Sequence, residues 1–159
     1  PAESATFRFA RLDRERFSGI RTAGHEGDVP YYTNSTKLPA DYDGTLQDAL
    51  INQDSLQPLY TTGTVFHVYM ERELEDWKKA RDLLSSMITE HHIPCFTLSP
   101  VYTICQTCGY LPGRQERCPK CNGAADVYSR IAGYYRPVHD WNDGKAQEFR
   151  NRIMFRIGE

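Results

Sequence analysis

Two Cys-x2-Cys pairs, Cys105/Cys108 and Cys118/Cys121, stand nine residues apart and constrain this chain more than any other feature. Each pair puts two sulfurs on one tight turn, and two such turns supply the four tetrahedral thiolates that Zn2+ prefers. Gly109 follows the first pair and permits a turn whose backbone N–H groups face sulfur. Asn122-Gly123 follows the second, and Asn also tolerates left-handed backbone. Pro112 and Gly113 in the spacer let the two knuckles fold together. No secretory signal opens the chain, so the pairs read as metal ligands rather than a disulfide framework, with zinc favoured over iron. Four thiolates leave no open coordination position, which makes the metal a structural staple rather than an activator of water. The fifth cysteine, Cys95, falls in an expected buried strand and reads as an inert core residue.

The 159 residues suffice for one domain with a real core and a small appendage. Charged residues are 25% of the chain and the net charge is −2, which gives no sign of an electrostatic nucleic-acid or membrane binder. From Gln106 to Lys120 only Arg114, Arg117 and Lys120 are positive, with no aromatic-rich basic stripe beside them. No apolar run approaches the roughly 18 residues needed to cross a bilayer. Thiol usage points to a reducing, cytoplasmic setting. The chain opens on Pro1 without a Met, and the expectation is a piece of a longer polypeptide.

Periodicity sketches the rest. Residues 3 to 17 predict a helix with Phe9, Leu12 and Phe17 near one face, followed by loop and a short strand at Tyr31–Asn34. Residues 45 to 57 predict a helix opened by Thr45-x-x-Asp48 and limited by Pro58. Thr64–Met70 reads as a buried strand. Glu71–His92 reads as an amphipathic helix whose apolar stripe is Leu74, Trp77, Ala80, Leu84, Met87 and Ile88. Ile93–Leu98 reads as a second strand. Strand, helix, strand with short links implies a βαβ unit with parallel strands, and parallel strands need cover on both faces. His67 in the first strand is expected to be a hydrogen-bonded core histidine rather than a catalytic acid. A final helix spans about Lys145–Met154, and Arg150, Arg152 and Arg156 are expected on a solvated face.

Eight residues beyond the last of the four cysteines comes Arg130-Ile-Ala-Gly133-Tyr134-Tyr135. Taken alone this is a loop in which Gly133 supplies a backbone angle that other residues cannot adopt. A second role is open to glycine: its Cα bears two hydrogens and no side chain, so loss of one gives a planar radical shared with the flanking amide groups. Arg130-x-x-Gly133-Tyr134 resembles the glycyl-radical signature of pyruvate formate-lyase-type enzymes. The longer run Tyr128 to Lys145, directly after a cysteine knob, resembles one branch, the anaerobic (class III) ribonucleoside-triphosphate reductases. Val29-Pro-Tyr-Tyr-Thr-Asn-Ser-Thr36, Leu38-Pro39 and Thr62-Gly63-Thr-Val-Phe-His67 resemble that family's C-terminal barrel segments.

The resemblance implies an α/β fold: the C-terminal part of a ten-stranded α/β barrel over residues 1–100, a four-cysteine zinc knob over 101–126, and a glycyl radical loop with a C-terminal helix over 127–159. It implies that Gly133 is oxidised by an S-adenosylmethionine-dependent activating enzyme carrying a 4Fe-4S cluster. The radical would then pass to a cysteine elsewhere in the polypeptide, not among these five, to reduce ribonucleoside triphosphates to deoxyribonucleoside triphosphates for DNA synthesis. Zn2+ at Cys105, Cys108, Cys118 and Cys121 would be structural. Arg130, Tyr134 and Tyr135 would support the loop. Tyr32, Thr33, Asn34 and Ser35 gather hydroxyls and an amide at an expected strand end, with Tyr32, Asn34 and Ser35 as candidate substrate contacts. The implied partners are the activating enzyme, the rest of the reductase polypeptide, the triphosphate substrate and a second copy in a homodimer, with no membrane and no direct nucleic acid. Two other functions remain to be weighed, a zinc-knuckle nucleic-acid-binding module and a stand-in subunit carrying a glycyl radical for a damaged enzyme.

Overall fold

A computed structural model describes residues 3–34, 37–61 and 63–157. The chain packs as two units, one made of Pro1–Tyr42 with Tyr128–Ile153 and the other of Asp43–Val127 with Met154–Glu159.

In the first unit, helix α1 (Glu3–Arg16) packs on helix α4 (Asp143–Asn151). The contact selects which side of α1 is buried. Ala10 is fully buried, and Phe7, one turn before it, lies against Gly144. Phe9 and Phe17 consequently face outward and are exposed, contrary to the expectation that they share the buried face with Leu12. Asn142 caps α4 by accepting the Lys145 N–H at 3.0 Å. Trp141 packs edge-on against Phe149 with ring centroids 5.5 Å apart. Tyr31 makes one antiparallel bridge, to Ala23, so the strand expected at Tyr31–Asn34 does not form. Its phenol lies 3.5 Å from the Asn151 amide, which also donates to Asp28 at 3.0 Å. These side-chain contacts with α4 satisfy the loop where a ladder would have done so.

The second unit contains the expected βαβ element. Strand β1 (Phe66–Met70) pairs in parallel with β2 (Phe96–Pro100), from Phe66↔Phe96 to Met70↔Pro100, and helix α3 (Trp77–Glu90) lies between them in sequence. Phe66, Val68 and Met70 are buried while His67 and Tyr69 are only half-buried, the alternation of a strand with one covered face. His67 Nδ1 lies 2.7 Å from Thr97 Oγ1, consistent with a hydrogen-bonded structural histidine. Helix α2 (Leu46–Asp54) opens with a reciprocal capping box: Thr45 Oγ1 accepts the Asp48 N–H at 3.1 Å and Asp48 accepts the Thr45 N–H at 3.2 Å. A 3-10 turn at Gln57–Leu59, containing Pro58, follows it.

Three expectations fail in this unit. Helix α3 begins at Trp77 rather than Glu71, because Asp76 takes extended backbone and caps the helix by accepting the Lys78 N–H at 2.8 Å. Within α3, Met87 is buried but Trp77 and Ile88 are two-thirds exposed, so the buried stripe is narrower than the hydrophobic one. Cys95 is exposed, since β2 starts one residue after it. The sequence reading also missed four strands. β3 (Tyr102–Cys105) and β4 (Gly109–Pro112) form an antiparallel hairpin. β5 (Ala125–Arg130) and β6 (Tyr135–Pro137) form another, with β5 passing in sequence from the second unit to the first.

The Gly144 contact gives a direct test of the α1–α4 packing. A Cβ added at Gly144 would lie 2.7 Å from Phe7 Cβ and 3.0 Å from its ring. Gly144→Ala is expected to destabilise the first unit by about 1–3 kcal/mol in denaturant unfolding, despite the better helix propensity of Ala.

Candidate metal centre and glycine turn

The first cysteine pair occupies the end of the β3–β4 hairpin and the second the loop between β4 and β5. Cys105 closes β3 opposite Gly109, and Gly109 adopts φ +77°, a left-handed angle that a side chain would strain. The second pair sits inside a tight loop closed by the Arg117↔Ala124 bridge, with Asn122 at φ +56°. There the Cys118 N–H donates to Gly123 O at 2.9 Å and the Asn122 N–H to Cys118 O at 2.8 Å. The Cys108 N–H points at Cys105 Sγ, 3.4 Å away. The second knuckle likewise aims backbone donors at sulfur, the Lys120 and Cys121 N–H groups at Cys118 and the Gly123 N–H at Cys121, in keeping with the Gly and Asn positions.

The four Sγ atoms lie within 4.8 Å of one another, and Cys105 and Cys121 approach to 3.6 Å. Four sulfurs around zinc at about 2.3 Å would be about 3.8 Å apart, whereas a disulfide requires about 2.05 Å. The geometry fits a metal and no disulfide is formed. Charge leads the same way. Backbone N–H groups of Cys121 and Lys120 pull the Cys118 thiol down to about 6, while sharing a hydrogen with Cys121 beside the other sulfurs pushes Cys108 up to about 12. Four such sulfurs cannot all ionise side by side unless a cation replaces their protons. Cys105 and Cys118 are buried with Leu111, and Cys108 and Ala125 pack against them. Four thiolates would leave a bound metal no open position, and the small apolar cluster around them suits a structural role.

The glycine turn joins β5 to β6. Arg130 pairs with Tyr135, and the Ile131 N–H donates to Tyr134 O at 3.1 Å. The Arg130 guanidinium donates to Gly133 O at 2.9 Å and lies 4.9 Å over the Tyr135 ring. Ile131 is buried, whereas Gly133 and Tyr134 are exposed. A Cβ built on Gly133 meets nothing within 4 Å, and its φ lies outside the left-handed range. Among the described residues, neither space nor backbone angle requires glycine here.

Arg130, Gly133 and Tyr135 are thus brought together, and Tyr134 lies at the same turn. Of the other candidates, Tyr32 donates its phenolic hydrogen to Asp13 at 2.8 Å. Asn34 Oδ1 is buried and has no hydrogen-bond partner among the described residues. Ser35 lies outside the described residues.

One group of functional interest escaped the sequence reading. Arg152, expected on a solvated face, is buried, and so is Lys145; both pair with Glu148, at 2.9 Å from Arg152 and 2.5 Å from Lys145. The spacing Lys145, Glu148, Arg152 places all three on one side of a helical turn and was the available signal. Burial pushes the Glu148 carboxyl up, but the two cations more than offset this and hold it below its ordinary 4.5. Its stabilising effect is therefore complete at neutral pH and disappears as pH falls through that lowered value.

Two outcomes follow. Removing the metal with a chelator is expected to release about four thiols to a thiol reagent and to speed amide exchange across residues 102–125, leaving β1, α3 and β2 protected. In acid titration followed by circular dichroism, Glu148→Gln is expected to lower stability at neutral pH and flatten its loss below pH 4.5 relative to the unmodified chain.

No curated protein matches the chain. A solved anaerobic ribonucleotide reductase superposes with a TM-score of 0.73 at 20% identity, covering 98% of this chain and 24% of that one. The anaerobic ribonucleotide reductase from Thermotoga maritima with MES in the active site superposes with a TM-score of 0.68 at 21% identity, covering 89% of this chain and 22% of that one. These likenesses concern fold, and the chain spans about a quarter of the length of the first of these structures. The family model described as anaerobic ribonucleoside-triphosphate reductase matches residues 1–155. The chain belongs to the anaerobic ribonucleoside-triphosphate reductase family.

Proposed function

We propose that this chain is the radical-bearing C-terminal part of an anaerobic ribonucleoside-triphosphate reductase, with Gly133 as the residue that stores the radical. The observation that carries the reading is the hold on Gly133 at the β5–β6 turn: the Arg130 guanidinium donates to its carbonyl, while among the described residues neither space nor a left-handed backbone angle requires glycine. What only glycine offers there is chemical. An activating enzyme carrying a 4Fe-4S cluster would supply the acceptor, a carbon radical released from S-adenosylmethionine by one-electron reduction, and one Cα hydrogen atom of Gly133 would pass to that carbon. The remaining carbon flattens, and its unpaired electron spreads onto the flanking amide nitrogen and carbonyl.

Within this reading, residues 1–100 are the C-terminal segment of the ten-stranded barrel, 101–126 the zinc knob, and 127–159 the radical loop with its terminal helix. Arg130 holds the Gly133 carbonyl, while Tyr135 supports the guanidinium from its ring face. Zn2+ bound by Cys105, Cys108, Cys118 and Cys121 would cross-link the β3–β4 hairpin to the loop from which β5 departs toward the turn. The cysteine that takes the radical and attacks the ribose lies elsewhere in the polypeptide. Asn34 offers a substrate hydroxyl a buried acceptor that has no partner among the described residues, with Ser35 beside it in sequence. The Tyr32 hydroxyl is already engaged with Asp13 and contributes less. The product is a deoxyribonucleoside triphosphate for DNA synthesis, made by a cytoplasmic homodimer. Among the described residues no helix is long and apolar enough to cross a membrane. A solved relative from Thermotoga maritima is described in complex with dATP and CTP, which accords with a nucleotide substrate.

The test combines folding with spectroscopy. Gly133→Ala is expected to leave stability within about 1 kcal/mol of the unmodified protein, because nothing crowds the new methyl. After anaerobic activation the unmodified protein should give a glycine-centred doublet in electron paramagnetic resonance, and Gly133→Ala none. A doublet that survives the substitution would sink the assignment.

A further inference from the structure

The buried charges of α4 reach the glycine turn through one side chain. Arg152 caps the C-terminus of α4, and its side chain is only 2% exposed. Its guanidinium donates to Glu148 Oε1 at 2.9 Å and to Ser129 Oγ at 3.2 Å, and lies 3.4 Å from the backbone carbonyl of Arg130. Trp141 and Phe149 face it at 5.8 and 5.6 Å from their ring centres. Glu148 is fixed in turn by Lys145 at its other oxygen. Ser129 is fully buried, and Arg130 is the residue whose own side chain grips Gly133 O.

We infer that Arg152, oriented by Glu148, is a positioning residue for the Gly133 turn, setting the end of β5 from which Arg130 reaches the glycine carbonyl. This rests on the radical assignment for its purpose, though the mechanical part stands on the contacts alone. A buried ion pair is a poor way to gain stability, since an apolar replacement of similar volume commonly does as well. What a planar guanidinium does provide is a fork that meets several acceptors at fixed angles. Here those acceptors are one carboxylate on α4, one hydroxyl on β5 and the last carbonyl before the turn. Orientation matters to a glycine radical because its spin spreads into the adjacent amides only while Cα and both peptide groups stay coplanar. Lysine at position 152 would keep the charge beside Glu148 but could not span all three acceptors.

The test uses the full-length reductase polypeptide carrying Arg152→Lys or Ser129→Ala, the latter removing a single hydroxyl if the former does not fold. Before activation, amide exchange of residues 131–135 is expected to rise about tenfold in Arg152→Lys, the effect of losing about one charged hydrogen bond, with metal content unchanged. After activation, the doublet should show an altered hyperfine splitting and decay several-fold faster. A merely structural role would reduce the amount of radical without moving its splitting. Exchange and splitting both at the unmodified values, in a folded variant, overturn the inference. If the unmodified enzyme gives no doublet, the radical assignment of Gly133 fails, and the exchange comparison alone decides whether Arg152 holds the turn.

Discussion

Four sulfurs held within 4.8 Å of one another are the constraint on which the segment from β3 to the start of β5 depends. The apolar cluster there comprises Leu111 with Cys105 and Cys118, and Cys108 and Ala125 pack beside them. So small a cluster cannot offset the entropy of ordering some twenty residues at about 1–2 kcal/mol each. Sulfur–metal bonds can, and they also relieve the repulsion among neighbouring thiolates. The hairpin geometry follows from this demand. Gly109 and Asn122 take left-handed angles so that backbone N–H groups turn toward sulfur, and β5 starts from the cluster with its first residue packed on it.

The other end of β5 shows a different economy. At Gly144 the fold needs glycine for space, because Phe7 lies against it, and at Gly109 it needs glycine for its backbone angle. Among the described residues Gly133 shows neither need, yet it is gripped by a guanidinium through its carbonyl. That combination is what the proposed radical role of Gly133 asks of the backbone. The buried Lys145–Glu148–Arg152 set extends that hold into α4.

Much of this was legible in the sequence, for reasons that can be traced residue by residue. The Cys-x2-Cys spacing dictated the sulfur cluster, and Thr45 with Asp48 announced the cap of α2. The parallel β1–β2 pair followed from two apolar runs flanking a helical period. Boundaries failed where one side chain overrode periodicity: Asp76 delays α3 by accepting a backbone hydrogen that the pattern alone assigns to helix. The strands around the cysteines were missed although Val101-Tyr-Thr-Ile104 is rich in β-forming residues, because the metal spacing dominated the reading of that segment. Arg152 was misplaced because arginine is usually solvated. Only its distance from Lys145 and Glu148 along the helix hinted otherwise. Exposed Phe9, Phe17, Trp77 and Ile88 show that apolar periodicity identifies a helix without identifying which of its residues the described chain buries.

The central claim, that Gly133 is glycine because its Cα hydrogen is the reactive atom, has one most direct test. The full-length reductase would be produced with glycine deuterated at Cα, activated without oxygen, and compared by electron paramagnetic resonance with undeuterated protein. A radical on a glycine Cα retains one hydrogen and splits its signal into a doublet, which deuteration should collapse to a single narrow line. A doublet that persists unchanged in the deuterated protein would place the spin on another residue type and contradict the account.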